Sequence, residues 1–348
     1  MISLTQNPIF FNRNRVARVY TGGKLFNPFF GDEAVDGNLP EEWVASRVKA
    51  LNEPSAGPDE GLSMVEGTDI PFASLLEKYP REMTGGKKFD VLVKLLDSAV
   101  RLPAQTHPDK TFSRAHFKSD HGKTESWLIV DTRPGAAIYF GFKDGITREK
   151  LEQAVDLSDK QGEDPFSELM QRVPARVGDV WLIPARVAHA IGAGCLILEV
   201  QEPTDFTVQP ERWCDSYRLS DRQMYLGLDR KTALDCFDLS QTGEGVIQRG
   251  KKTPMPIEQL PKGVKEALIT YQDTPCFAVN RIRLDAGKTA ISGPAVFVVT
   301  AGTGALATAT GSRPIKKGDY FFVPFAAGAV EVTAVAGLEI VECLPPAA

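Results

Sequence analysis

The chain is poor in the residues that most often carry chemistry. Its 348 residues include only four histidines and five cysteines. Cys195, Cys214, Cys236, Cys276 and Cys343 are scattered, odd in number and without a C-x-x-C pair, which argues against a disulfide framework and for a reducing compartment. No apolar run is long enough to span a bilayer. The N-terminus, Met1-Ile2-Ser3-Leu4-Thr5-Gln6-Asn7-Pro8, lacks the charged region and apolar core of a signal peptide. No basic tract runs through a chain of net charge -5, so neither nucleic acid nor an anionic membrane is an expected partner. These absences predict a cytoplasmic protein. A small anionic ligand stays compatible, because a local Lys/Arg pocket does not require a basic protein.

What is present is ordinary in bulk and specific in detail. Apolar content of 43% and charged content of 24% fit a globular protein of two domains, or of one with an elaborate insertion. Residues 20–70 are rich in Gly, Pro, Asn and Asp and read as long loops. Pro71 to Tyr79 reads as a helix, and Phe89 to Leu96 is an apolar run that is either buried strand or helix. Short strands follow from Leu102 to Gly141. Thr147 to Val155 reads as a helix capped by Thr147, and Phe166 to Val173 as a second one. Strands resume from Asp179 to about Gln201. Asp229 to Phe237 is helical, residues 240–265 read as a connector, and short strands run from Cys276 to the end.

An internal repeat organises these pieces. Gly178-Asp179-Val180-Trp181-Leu182-Ile183-Pro184 and the five residues up to His189 align with Gly318-Asp319-Tyr320-Phe321-Phe322-Val323-Pro324 and the five up to Ala329. Gly-Asp turns the chain, an apolar strand packs inside, and Pro ends it. Two copies imply two similar β-barrels or sandwiches. The expected division is residues 1–144 with 174–228 for the first, a helical insertion over 145–173, and a connector with the second copy over 229–348.

The chemistry concentrates in the first copy. Gln105 and His107 lie two apart, so on extended backbone both heads point to one face. Glu125 opens the apolar run Glu125-Ser126-Trp127-Leu128-Ile129-Val130, and His189 follows the first Gly-Asp repeat. Two imidazoles, one carboxylate and one amide oxygen make a borderline-hard divalent metal site with room left for substrate. The second copy has Ala329 in place of His189, and residues 229–348 contain no histidine. Two His and one carboxylate also suit the ferrous iron of a cupin oxygenase; Gln105 and Lys123 speak against that choice.

The stretches Gln105-Thr106-His107-Pro108-Asp109, Gly122-Lys123-Thr124-Glu125-Ser126-Trp127 and His189-Ala190-Ile191-Gly192, with Pro40-Glu41-Glu42-Trp43 and the Gly318 repeat, resemble the cupin superfamily and, more narrowly, the type I mannose-6-phosphate isomerases. The resemblance implies two jelly-roll barrels, the second metal-free, and one zinc ion per chain on Gln105, His107, Glu125 and His189. It also implies interconversion of mannose 6-phosphate and fructose 6-phosphate through an enediol. Lys123 shares a face with Glu125 and is expected to reach the sugar O1 or O2. Asp205 is a candidate base, with a water on the metal as the alternative. The family places an Arg four residues after this Asp. Here that position is Gln209, and Arg212 is the expected substitute from a shifted loop. Gln209 keeps open a sugar-binding cupin without turnover, or an isomerase of another sugar.

Overall fold

The computed structural model describes residues 2–52, 57–309 and 311–347. It is mainly β, and every pairing between strands is antiparallel. A seven-stranded sheet runs in the order Lys251–Lys252, Val180–Ile183, Glu125–Thr132, Cys195–Gln201, Leu92–Asp97, Glu41–Val44 and Arg15–Val16. A three-stranded sheet, Met170–Pro174, Ala137–Phe142 and His189–Ile191, belongs to the same half of the chain. A nine-stranded sheet gathers the C-terminal strands from Met255–Leu260 to Ala329–Leu344. Segments cross between halves at both ends: Ile9–Phe10 pairs with Tyr320–Val323, and Lys251–Lys252 with Val180–Ile183.

Alternation along the central strands explains where the cores and the site lie. In Cys195–Gln201, Leu196, Leu198 and Val200 face a core shared with Val279, Val296, Val298, Phe322 and Val341 of the C-terminal sheet. Cys195 and Ile197 face the other way, into a core built with Trp127, Phe140, Trp181 and Ile183. Glu199 continues that second face, as do Lys94 and Trp127 on neighbouring strands. Register sets Glu199 opposite both Lys94 and Trp127, Lys94 opposite Trp43, and Trp127 opposite Trp181. One row of charged and indole side chains therefore crosses the sheet.

The sequence repeat is a structural one. Gly178 and Gly318 take φ of +89° and +90°, a conformation glycine adopts at little cost. Gly178 N–H donates to the Ile129 carbonyl at 2.8 Å and Gly318 N–H to that of Val299 at 2.9 Å. The Asp179 and Asp319 carboxylates each accept from the backbone three residues earlier, Arg176 N–H at 3.1 Å and Lys316 N–H at 2.8 Å.

Several local expectations change. The second insertion helix stops at Leu169, and Met170–Pro174 is a strand paired with Ala137–Phe142. After buried Met170 its residues alternate between partly buried and exposed, a period of two that a strand satisfies and a helix does not. The expected connector over 240–265 holds the helix Gly243–Gly250 and the strand Met255–Leu260. The C-terminal strands are long, with 14 residues in Ala295–Thr308 and 16 in Ala329–Leu344. Leu92–Asp97 is a strand buried throughout. No helix of the described residues is long and apolar enough to cross a membrane.

Candidate metal centre and substrate cavity

His107, Glu125 and His189 come together with ligand atoms all within 4.8 Å of one another. Three segments supply them. His107 sits on extended backbone rather than a regular strand: Gln105 bridges to His189 and Thr106 to Val208, each through isolated antiparallel bonds. Glu125 starts the strand Glu125–Thr132, and His189 starts His189–Ile191. All three are buried.

The hydrogen bonds fix how the imidazoles point. His107 Nδ1–H donates to the Phe206 carbonyl and His189 Nδ1–H to the Val187 carbonyl, both at 2.9 Å. Each Nε2 is then an unprotonated acceptor in the neutral ring. The two Nε2 atoms face each other at 3.1 Å. Glu125 lies 3.1 Å from His107 Nε2 and 3.4 Å from His189 Nε2. Lone pairs and a carboxylate so close repel unless positive charge lies among them. Neighbouring ligands of a tetrahedral ion with bonds of ~2.0–2.1 Å stand about 3.3 Å apart, so the donor set fits one divalent cation. Glu125 Oε2 is buried between His107 Nε2 at 3.1 Å and the Lys123 ammonium at 3.0 Å.

Electrostatics keep the donors in ligating form. Burial, then the nearby Lys123 ammonium, lowers the His107 pKa to about 3. Burial lowers that of His189 as well, against the pull of Glu125. Burial alone would raise the Glu125 carboxyl, but the Lys123 ammonium brings it well below the usual carboxylate range. Both rings are neutral and the carboxylate is ionised near neutral pH. Lys123 Nζ lies 2.8 Å from His107 Nε2 and 3.0 Å from Glu125 Oε2.

Beside this cluster opens a cavity of about 500 Å³, lined among others by Gln105, Lys123, Lys94, Glu199, Asp205 and Arg18. Trp127 Nε1–H lies within 3.1 Å of Glu125 Oε1 and 3.2 Å of Glu199 Oε2, joining cluster and cavity. Glu199 Oε1 is 3.4 Å from Lys94 Nζ. Burial and the Glu125 charge push the Glu199 carboxyl up to about 7, against Lys94 and Lys123. The sequence reading passed over Glu199 and Lys94 as site residues. The available signal was polarity: each is a charge with apolar neighbours on both sides in its strand.

Asp205, expected as a base, lines the cavity but is well satisfied. Arg18 grips both its oxygens, at 3.0 and 3.2 Å, and Leu51 N–H donates at 2.8 Å. Arg212, expected to reach the substrate, is turned elsewhere. Its guanidinium meets Asp159 at 2.8 Å, Asp221 at 2.7 Å and the Leu219 carbonyl at 3.0 Å, and it does not line the cavity. Gln209 does line it. Trp43 is a core residue whose Nε1–H donates to Glu41 at 2.6 Å. The His116 ring packs tilted against Phe112 and His121 lies 3.7 Å from Asp90; neither joins the cluster. Among the described residues, His107, Glu125 and His189 form the one such group of His, Cys, Asp or Glu.

No family model matches the chain. It is 26% identical over 325 residues to the mannose-6-phosphate isomerase of Streptococcus mutans, covering 91% of this chain and 92% of that protein. It is 27% identical over 335 residues to the mannose-6-phosphate isomerase ManA of Bacillus subtilis, covering 93% and 95%. The crystal structure of the mannose 6-phosphate isomerase from Bacillus subtilis superposes with a TM-score of 0.76 at 23% identity, over 97% of this chain and 99% of that one. Over more than nine-tenths of its length the chain thus resembles the mannose-6-phosphate isomerases in sequence, and it shares their fold.

Proposed function

We propose that this protein is a metal-dependent aldose–ketose isomerase that interconverts mannose 6-phosphate and fructose 6-phosphate. The observation that carries the reading is the buried convergence of His107, Glu125 and His189 next to Glu199, which lines the adjoining cavity. The likeness to mannose-6-phosphate isomerases supports the reaction class. His107 Nε2, His189 Nε2 and the Glu125 carboxylate, with the Gln105 amide oxygen as fourth donor, would hold one cation; zinc suits this donor set and supplies Lewis-acid polarisation of the sugar O1 and O2.

The chain's own residues do the rest. Moving a proton between C2 and C1 needs one group that both accepts and returns it. Glu199 lines the cavity beside the cluster, whereas Arg18 and the Leu51 N–H hold both oxygens of Asp205, so Glu199 is the base we favour over Asp205. Lys94, opposite Glu199 on the neighbouring strand, fixes its direction. Lys123 lines the cavity and is placed to donate to a developing enediolate oxygen. Arg18, Glu41 and Asp205 form the wall that holds Lys94 in place. The same reading assigns the site to residues 1–144 and 174–228, an adjoining helical piece to 145–173, and a metal-free scaffold to 229–348. All five cysteines are free and buried, which supports a reducing location, the cytoplasm.

The deciding test is a coupled assay converting mannose 6-phosphate to fructose 6-phosphate, with metal content measured on the same sample. Turnover at one zinc per chain is the expected result. A fully loaded protein without turnover would instead be a sugar-binding cupin, the second reading, which Gln209 favours. Iron in place of zinc, with oxygen uptake, would point to an oxygenase.

A further inference from the structure

We infer that Glu202 is the positioning residue of Lys123: its carboxylate clasps the backbone on both sides of that lysine and fixes the point from which the side chain enters the cavity. The inference rests on the isomerase reading for what Lys123 does, and adds the residue that aims it.

Lys123 needs such a hold. The strand that carries Glu125 begins two residues later, so no sheet ladder sets its place. Its head is nevertheless closely placed, with Nζ 2.8 Å from His107 Nε2 and 3.0 Å from Glu125 Oε2. A lysine stem is long and flexible, and a loose root would scatter the ammonium. A displacement of ~1 Å at a reacting centre can cost about 100-fold in rate.

Glu202 and Lys123 are both buried, 3% and 4% exposed. Glu202 N–H donates to the Thr124 carbonyl at 3.0 Å. A regular antiparallel pair would return the Thr124 N–H to the Glu202 carbonyl. Here that carbonyl accepts from Gln201 Nε2 at 2.9 Å, and the Thr124 N–H turns instead to Glu202 Oε2 at 3.0 Å. Glu202 Oε1 accepts from Gly122 N–H at 3.3 Å. The Lys123 N–H between them donates to the Pro108 carbonyl at 3.0 Å, one residue past His107. The Thr204 hydroxyl donates to the Gly122 carbonyl at 2.8 Å. Gly122 packs so closely on the same turn that a Cβ there would stand 2.7 Å from the Pro108 oxygen. The other neighbours of the carboxylate are Lys110 Nζ at 3.5 Å and the buried Cys276 thiol. Both N–H groups that flank Lys123 thus end on one buried carboxylate, as charge-assisted bonds stronger than neutral ones.

The test compares wild type with Glu202→Gln and Glu202→Ala in two measurements on the metal-loaded protein. The first is hydrogen exchange at the amides of Gly122, Lys123 and Thr124, read by NMR. Exchange should be slow in wild type and roughly 10- to 100-fold faster in Glu202→Ala, the scale of a lost hydrogen bond to a charged group. Glu202→Gln should fall between them, and the amides of Cys195–Gln201 should not change. The second measurement is kcat and KM for mannose 6-phosphate. Glu202→Gln should lower kcat roughly 10-fold or more with KM little changed. In a Lys123→Ala background it should cost nothing further, whereas a purely structural effect would add. Unchanged exchange at the three amides overturns the inference. So does an equal fractional loss of kcat with and without Lys123, or a loss matched by a fall in Tm and in bound metal. Faster exchange in Glu202→Ala, beside a wild type that does not turn over mannose 6-phosphate, would sink the isomerase reading and leave the clasp standing.

Discussion

Replacing Lys94 by methionine removes the cation at the centre of the cavity wall and keeps most of its volume. Its ammonium lies 3.4 Å from Glu199, 3.8 Å from Glu41 and 3.8 Å from Asp205, over the Trp43 ring at 4.6 Å. At 3.4 Å and an effective dielectric of ~20, one such pair is worth ~5 kcal/mol before desolvation. Desolvation offsets much of that, and truncating one member of a buried cluster costs about 3–5 kcal/mol net. Arg18 still serves Glu41 and Asp205, so the low end, about 3 kcal/mol, is expected. Burial works against the Lys94 charge, but the three carboxylates raise its pKa above 10.5. A raised lysine contributes in full below its unfolded pKa, so Lys94 itself adds no slope between about pH 5 and pH 8. Glu199 supplies the slope. Its carboxyl already sits near 7, and losing Lys94 raises it further. A carboxyl whose folded pKa exceeds its unfolded value loses stability as pH climbs from ~4.5 through the folded value. The loss at ionised Glu41 should therefore be present at about pH 6, and the part from Glu199 should add to it as pH climbs from about 7 towards about 9. Urea unfolding followed by tryptophan fluorescence measures it. A difference under ~1 kcal/mol at the higher pH, or an equal one at both, would refute the reasoning. The companion Lys94→Met/Glu199→Gln should recover much of the loss, because it removes the stranded charge.

Three other outcomes follow from the same geometry. Glu125→Ala should abolish both bound metal and activity, read by elemental analysis and the coupled assay; retention of stoichiometric metal would show that the cation lies elsewhere. Trp127→Phe removes the N–H beside both Glu125 and Glu199 and should weaken metal affinity roughly 10- to 100-fold, measured by competition with a chromogenic chelator; an unchanged affinity would deny that contact any part in orienting Glu125. The imidazole pKa values are lowered, that of His107 to about 3, so their contribution to stability is present above ~6.5 and is lost as pH falls towards the folded values. Acid release of metal should therefore accompany unfolding, and release near pH 6 with intact circular dichroism would contradict it.

The donor set was legible because its residue types are rare here and their spacing is informative. With four histidines in the chain, two flanking Pro and Gly-Asp turns are conspicuous. Glu199 and Lys94 were harder to read. Each sits in a strand whose residues are all buried, so periodicity cannot mark one face as a cavity. Their importance comes from cross-strand register, a non-local property. Arg212 misled for a related reason. It lies three residues beyond Gln209, and the backbone there turns it towards Asp159 and Asp221 instead of the cavity.

The Gly-Asp repeat shows how one framework yields one centre rather than two. Val180 and Leu182 face the core shared with the C-terminal sheet, as do Tyr320 and Phe322 of the second copy. Trp181 and Ile183 face the core beside the metal cluster, and Phe321 and Val323 face the corresponding interior of the second copy. That second interior is filled: Phe321 stacks on Phe297 at 5.4 Å among Val299, Leu306 and Ile340. The missing histidine is only part of the difference. His189 is fully buried, whereas Ala329, aligned with it, is exposed. The chain leaves the second turn pointing its equivalent residue to solvent, so a histidine there would have no Nε2 to meet and no carboxylate behind it. Turn and strand are common to both copies; the centre depends on where the backbone goes after the proline and on which polar side chains the facing strands turn inward.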